Sequence, residues 1–219
     1  MKADLDSFYT RHKPTCHKSL KMLGTHIPSN SVCFDIGSNL GMYSESLLEL
    51  HPDAFVHLFE PIKDYCAYSE RKLEKYKDRI KINNLGLSNK IESKTNYVCP
   101  SKNKGWNTFI GEKANPNMPA QEVPVTTLDH YWSEASLSHV DFIKIDTEGY
   151  EAFIIDGFFN TLRNLNRKPV FVIELGWGSS HPYWDYSLDI FKKLFSLGYT
   201  SNRNIKDLRS TCDVIFTPF

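Results

Sequence analysis

The sequence predicts an α/β fold, a mostly parallel sheet with helices on both faces. Three observations carry that expectation. Short apolar runs of strand length recur at 32–35, 55–59, 80–85, 140–145 and 170–174. Stretches of helical spacing alternate with most of them, the rhythm of parallel βαβ units. The first run passes through Asp35-Ile36-Gly37-Ser38-Asn39-Leu40-Gly41 and opens into Met42-Tyr43-Ser44-Glu45-Ser46-Leu47-Leu48. That is a first strand, a tight turn and a first helix, arranged as in a nucleotide-type site.

The elements follow in order. Residues 5–24 read as a helix with Leu5, Phe8, Tyr9, Leu20 and Leu23 available for packing, and Pro14 should break or start a helix there. A helix is expected near 42–50 and a charged amphipathic one over Tyr65–Tyr76. Thr95–Val98 and Val123–Thr126 are expected to pair antiparallel. One helix should follow the acidic loop at 146–151, with Phe153, Ile154, Phe158 and Leu162 on its apolar side. A last helix spans 186–197. Tyr199–Ser201 and Asp213–Thr217 read as antiparallel edge strands. No repeat or linker divides the chain, so 1–219 is expected to be a single domain, with 1–29 as a helical cover. Residues 100–122 break the rhythm, being rich in Lys, Asn, Gly and Pro. Loops this long are usually functional lids or mobile insertions. As a lid, the segment would let Trp106 stack on a substrate.

Composition narrows the function classes. The 219 residues can bury a sizeable core. Lys+Arg and Asp+Glu both number 26, so no basic excess points to a nucleic acid. No apolar run is long enough to span a membrane. No basic-then-apolar amino terminus resembles a signal peptide. Cys16, Cys33, Cys66, Cys99 and Cys212 are odd in number and scattered, which argues against zinc or a disulfide framework. A reducing, cytoplasmic setting suits them.

The glycine turn should bring backbone N–H groups and a helix N-terminus to the carboxyl end of β-structure, where they suit an anionic ligand group. Gly37 and Gly41 lie four apart, without the third glycine of a dinucleotide fingerprint, which disfavours a nicotinamide dehydrogenase. Glu60 closes the second strand about 20 residues past the turn, the place for an acid that accepts from ribose hydroxyls. Pro61 stiffens the turn behind it.

Asp35-Ile-Gly-Ser-Asn-Leu-Gly41, Phe59-Glu60-Pro61, Val125-Thr-Thr-Leu-Asp129 and Ile143-Lys-Ile-Asp-Thr-Glu-Gly-Tyr-Glu151 together resemble the FkbM family of S-adenosylmethionine-dependent O-methyltransferases. The resemblance covers roughly residues 30–219. It implies a Rossmann-like class I methyltransferase fold with a seven-stranded sheet. It also implies an acceptor hydroxyl on a sugar or other small molecule or glycan. Such a domain can form part of a longer multidomain chain, and a non-catalytic S-adenosylmethionine-binding module is the alternative. Asp35, Gly37, Ser38, Asn39, Gly41, Glu60, Pro61 and Asp146 are then expected around the cofactor. Asn84 and Leu85 fall beside the adenine, Leu85 packing on the ring and Asn84 bonding its edge. A turn residue is the plainer reading of Asn84.

An alcohol is a poor nucleophile near neutral pH unless a base or metal assists it. Asp146, Glu148 and Glu174 lie where such groups belong, at the ends of central strands. His181 follows on the loop after Glu174, in a segment that also carries Trp177, Tyr183 and Trp184. Each has a rival reading. Asp146 can cap a helix or orient the cofactor amine. Glu148 can hold the Gly149 turn or complement a helix dipole. Glu174 ends an apolar strand, where an acid without a partner is costly. His181 can act as base near its ordinary pKa or sit as a loop histidine. Asp146 and Glu174 can also hold Mg²⁺ or Mn²⁺, as hard cations take carboxylate oxygens.

Overall fold

A computed structural model describes residues 2–23, 27–100, 104–176, 178–208 and 210–219. The elements are α1 (Lys2–Leu23), β1 (Val32–Ile36), α2 (Met42–Leu50), β2 (Phe55–Phe59), α3 (Lys63–Lys72), β3 (Ile80–Asn83), β4 (Gly86–Leu87), β5 (Glu92–Tyr97), β6 (Ala120–Thr126), α4 (Leu128–Glu134), β7 (Phe142–Ile145), α5 (Glu151–Asp156), α6 (Phe159–Asn164), β8 (Val170–Leu175), α7 (Trp184–Ser196), β9 (Tyr199–Ser201) and β10 (Cys212–Pro218).

Seven strands form one sheet in the order β3-β2-β1-β7-β8-β10-β9. The first five are parallel, and β10 runs antiparallel to both β8 and β9. Side chains of successive strand residues serve opposite faces. Cys33, Val56, Phe142 and Val172 pack with Leu20, Leu23 and Leu47 from α1 and α2. Phe34, Ile143, Ile145, Phe171 and Ile173 pack with residues of α4, α5, α6 and α7. Each fully buried Phe or Leu contributes roughly 1.5–3 kcal/mol, so both faces are closed by cores of comparable chemistry. The strand order reverses between β2 and β7 on either side of β1. Ligands bind open α/β sheets at such a switch point, outside the strands' carboxyl ends.

Several elements differ from the expectation. Pro14 lies inside α1 without ending it. Leu5, Phe8 and Tyr9 are buried before it and Leu20 and Leu23 after it, so packing at both ends outweighs the lost hydrogen bond. α3 stops at Lys72, and a 3₁₀ segment, Glu74–Arg79, carries the chain to β3. The helix after the acidic loop is split into α5 and α6 at Gly157. A Cβ there would lie 2.2 Å from the Ser88 carbonyl oxygen, and the Gly157 carbonyl accepts from Asp129 N–H. α4 had no counterpart in the reading; the Thr127 hydroxyl caps it by accepting from His130 N–H at 3.0 Å. β10 is not an edge strand, since β9 covers it. β5 and β6 pair antiparallel as expected, with Thr95 opposite Glu122, in a separate sheet that β4 joins.

Within 100–122, residues 101–103 lie outside the described residues, and β6 already begins at Ala120. Thr108 bridges to Tyr97, Ile110 is buried, and Trp106 is 62% exposed.

Candidate active site

The glycine turn between β1 and α2 puts Gly37, Asn39 and Gly41 at φ of +76°, +54° and +76°. Its N–H groups are taken up within the protein, contrary to the expectation that they face a ligand. Gly37 and Ser38 both donate to the Phe59 carbonyl, Asn39 to the Glu60 carboxylate, Leu40 to the Asn39 side chain and Gly41 to the Ser38 carbonyl. Gly37 is required by its neighbour strand. A Cβ there would lie 1.9 Å from the Asp146 carbonyl oxygen, so the exits of β1 and β7 touch only because residue 37 lacks a side chain. Gly41 sets the left-handed start of α2, against Leu73, Ser69 and Leu58.

A cleft opens above this turn. Gly37, Asn39, Glu60, Pro61, Leu85 and Asp146 line it, with Thr108 and Phe109 opposite. Glu60 is 4% exposed. Its Oε2 accepts from Asn39 N–H at 2.9 Å and its Oε1 from Ile62 N–H at 2.8 Å. Burial outweighs these two donors and pushes the carboxyl up to about 8. Asn84 does not line the cleft. Its amide donates to the carbonyls of Glu60 and Pro61 at 3.0 and 3.1 Å, so it braces the turn after β2 and is not turned toward an adenine edge.

Past Gly37, Asn39 and Asp146 the cleft continues between Asp35, Ser38, Lys144, Glu148 and Glu174. Phe8, His12 and Cys16 from α1 close this part. α1 is fastened there by Tyr9, which hydrogen-bonds Glu45, and by Lys13 at 2.7 Å from the same carboxylate. The Lys104 carbonyl accepts from the Asn39 amide at 2.7 Å, and the Lys104 ammonium lies 3.2 Å from Asp4. Asp35 is buried and accepts from the Ser44 hydroxyl at 2.6 Å; burial pushes its carboxyl up to about 6. It therefore secures the first turn of α2 rather than the glycine turn's N–H groups. Ser38 Oγ is buried without a hydrogen-bond partner among the described residues.

The structure brings three of the sequence-predicted acids together. Single oxygens of Asp146, Glu148 and Glu174 lie within 4.8 Å of one another. Burial, then repulsion from Asp146, raises Glu148 to about 7, and the same two causes raise Glu174. Beneath them lies Lys144, 4% exposed, 3.4 Å from Asp146 and 2.7 Å from Asp213. Burial opposes its charge, but Asp146 and Asp213 outweigh it and hold the ammonium well above its ordinary range. Glu148 itself sits at φ +56°, uncommon for a residue with a Cβ. Lys113 Nζ and the Thr108 hydroxyl donate to its carbonyl at 2.8 and 3.1 Å. Glu151 Oε1 accepts from the N–H groups of Thr147 and Gly149, which fixes the rest of the loop. Oxygen donors of this kind suit a hard cation.

His181 is not brought to these acids. It is buried, its Nδ1 accepts from Tyr183 N–H at 3.1 Å, and its ring packs on Gly149. Burial, with Lys113 nearby, lowers its pKa and keeps the ring neutral. It lines neither part of the cleft, which corrects its reading as the base. Trp177 lies outside the described residues. The helical cover expected of residues 1–29 does close the cleft, through Phe8, His12 and Cys16. Lys144, Lys113 and Thr108 were missed. Lys144 had a signal, a lone charge inside the apolar run Phe142–Ile145. The others are positioned by contacts distant in sequence.

The cleft suits an adenosyl group. It offers a buried acid at the second strand's end, the apolar wall of Leu85 and Pro61, and an unpartnered Ser38 hydroxyl farther in. Fold and site together define a class I S-adenosylmethionine-dependent methyltransferase. The family model described as Methyltransferase FkbM domain matches residues 35–201, and the chain belongs to that family. Among solved structures, the fibrillarin of Aeropyrum pernix with natively bound S-adenosyl-L-methionine has a TM-score of 0.51 at 8% identity, covering 87% of this chain and 67% of that one. The SAM-dependent O-methyltransferase of Thermotoga maritima has a TM-score of 0.50 at 13% identity, covering 94% and 65%. At these identities the likeness is one of fold. The AMB antimetabolite synthetase AmbE of Pseudomonas aeruginosa is 30% identical over 88 residues. That match takes in 40% of this chain and only 4% of the relative's length. Among the described residues no helix is long and apolar enough to cross a membrane.

Proposed function

We propose that this chain transfers a methyl group from S-adenosylmethionine to a hydroxyl oxygen, on a sugar or glycoconjugate. The observation that carries the reading is the acid cluster of Asp146, Glu148 and Glu174, whose oxygens lie within 4.8 Å in the inner part of the cleft, Asp146 lining both parts. When bound, the cofactor supplies a sulfonium methyl, which needs no further activation. The chain must align an oxygen with it and take up the hydroxyl proton. A general base works best with a pKa near the working pH. Burial, then repulsion from Asp146, raises Glu148 and Glu174 toward that range. Of the two, Glu174 accepts the proton, while Lys144 lies 3.4 Å from Asp146 beside it. Glu60 accepts from the ribose hydroxyls with the lone pairs that Asn39 and Ile62 leave unused. Pro61 and Leu85 flank the base, and Ser38 and Asp35 face the amino-acid end.

A sugar acceptor is the substrate class that the family resemblance implies, and Trp106 supplies an aromatic face on the adjoining cavity. Asp146, Glu148 and Glu174 would also be the residues to hold Mg²⁺ or Mn²⁺, which lowers the pKa of a bound hydroxyl. The test is incubation with S-adenosylmethionine and a panel of glycans, amines and carbon acids, with and without EDTA. Mass gain of one methyl on a glycan hydroxyl is expected. Methylation confined to nitrogen or carbon refutes the reading.

A further inference from the structure

A cavity of about 560 Å³ lies beside the cofactor cleft. It falls in the range of small-molecule sites, ~300–1,000 Å³. Its lining includes Cys99, Trp106, Asn115, Asn117, Met118 and Glu148. Glu148 is the one residue it shares with the part of the cleft that holds Asp146 and Glu174. We infer that this cavity is the acceptor site and that it takes a single sugar ring, with the reacting hydroxyl presented past Glu148 to the acid cluster. The inference rests on the reading of the chain as a hydroxyl methyltransferase.

Three observations favour a sugar ring over an extended apolar acceptor. Trp106 lines the cavity and is 62% exposed, so its ring is open to a ligand there. Its indole offers a flat face for the C–H side of a pyranose. Asn115 and Asn117 place amides on the same cavity, and an amide can both donate to and accept from ring hydroxyls. The wall toward the acids is held rigid. Lys113 and Thr108 clamp the Glu148 carbonyl, and the residue keeps its left-handed backbone under that clamp. Strained backbone of this sort collects at ligand clamps. The segment that lines the cavity thus also fixes Glu148 between acceptor and cleft.

The experiment separates this inference from the reaction itself. Methyl glycosides of common hexoses and deoxyhexoses are titrated into the protein saturated with S-adenosylhomocysteine. Trp fluorescence is compared between wild type and Trp106→Phe. A sugar-dependent change present in wild type and absent from Trp106→Phe is expected. In turnover with any sugar that is methylated, Trp106→Ala should raise the acceptor KM about tenfold, the upper reach of an aromatic contact. It should leave cofactor affinity unchanged. If no glycoside gives a Trp106-dependent signal, the sugar-ring assignment is overturned. Methylated glycans with a KM that Trp106→Ala and Asn117→Ala leave unaltered would overturn the cavity and spare the reaction. Trp106-dependent binding without any methyl transfer would instead overturn the reaction and spare the cavity.

Discussion

Glu60→Gln separates two roles of one carboxylate. Each oxygen of Glu60 accepts one backbone N–H, from Asn39 at 2.9 Å and Ile62 at 2.8 Å. Glutamine has one acceptor oxygen, so one buried N–H loses its partner, at roughly 1–3 kcal/mol. The native acid carries an opposing cost. Burial moves it from an ordinary 4.5 up to about 8. The folded chain therefore holds this proton to higher pH than the unfolded chain. Between those two values the folded state binds more protons, and stability falls as pH rises. From about pH 6 to 8 the loss is roughly 2–3 kcal/mol, at ~1.36 kcal/mol per pH unit. Glutamine does not titrate. The variant should thus be less stable than wild type by ~1–3 kcal/mol near pH 6, and the gap should close or reverse by about pH 8–9. Asp35, Glu148 and Glu174 titrate in both proteins and cancel in the difference. Urea unfolding of the cofactor-free proteins across that pH range measures the gap. Calorimetry with S-adenosylhomocysteine should show binding weaker by ~1.5–3 kcal/mol in the variant. A stability gap that stays constant with pH would refute the argument, because Glu60 would then be ionised in the folded chain.

Gly37→Ala should destabilise the fold by more than the ~1–3 kcal/mol of a strained backbone alone and abolish cofactor binding. Gly178→Ala, also at positive φ but with no atom of the described residues beyond its chain neighbours within 4 Å of its new Cβ, should show the backbone cost only, and equal losses in thermal melts would disprove the β1–β7 contact. Asp146→Asn and Glu174→Gln should cut kcat by ~10²–10⁴ with cofactor affinity nearly intact. His181→Asn should stay within a few-fold of wild type, and a kcat collapse there restores the histidine as base. Lys144→Met should move the acidic limb of the pH–rate profile upward, since Glu174 loses the cation that lowers it. Its stability loss should stay below the ~3–5 kcal/mol of a fully buried broken pair. The reason is that Asp146 and Asp213 are 38% and 37% exposed. An unmoved profile would show that Lys144 serves only the sheet.

What could be read from the sequence was what is local. The turn at Gly37, the acid closing β2, the acids after β7 and the acid near the end of β8 all follow from a few adjacent residues and the strand they end. Side-chain direction was not legible. Asn84 and His181 stand at the right places in the chain, yet one turns to the carbonyls of Glu60 and Pro61 and the other to Gly149. Contacts between distant segments were equally hidden. Lys144 of β7 finds Asp213 of β10 across β8, and Asn39 finds the Lys104 carbonyl. Pro14 misled because a local rule about broken helices was outweighed by burial on both sides of it.

Lys113 and Thr108 both donate to the Glu148 carbonyl, and Thr108 is also bridged to Tyr97 of β5. The stretch between β5 and β6 is thereby mechanically continuous with the acidic loop after β7. A swap of this stretch for one of another shape removes an ammonium and a hydroxyl from a left-handed peptide that cannot easily hold itself. Attempts to retarget the chain by loop exchange will therefore change turnover and acceptor preference together. A graft that restores a cation at 113 and a hydroxyl at 108 begins with the acidic loop already in place.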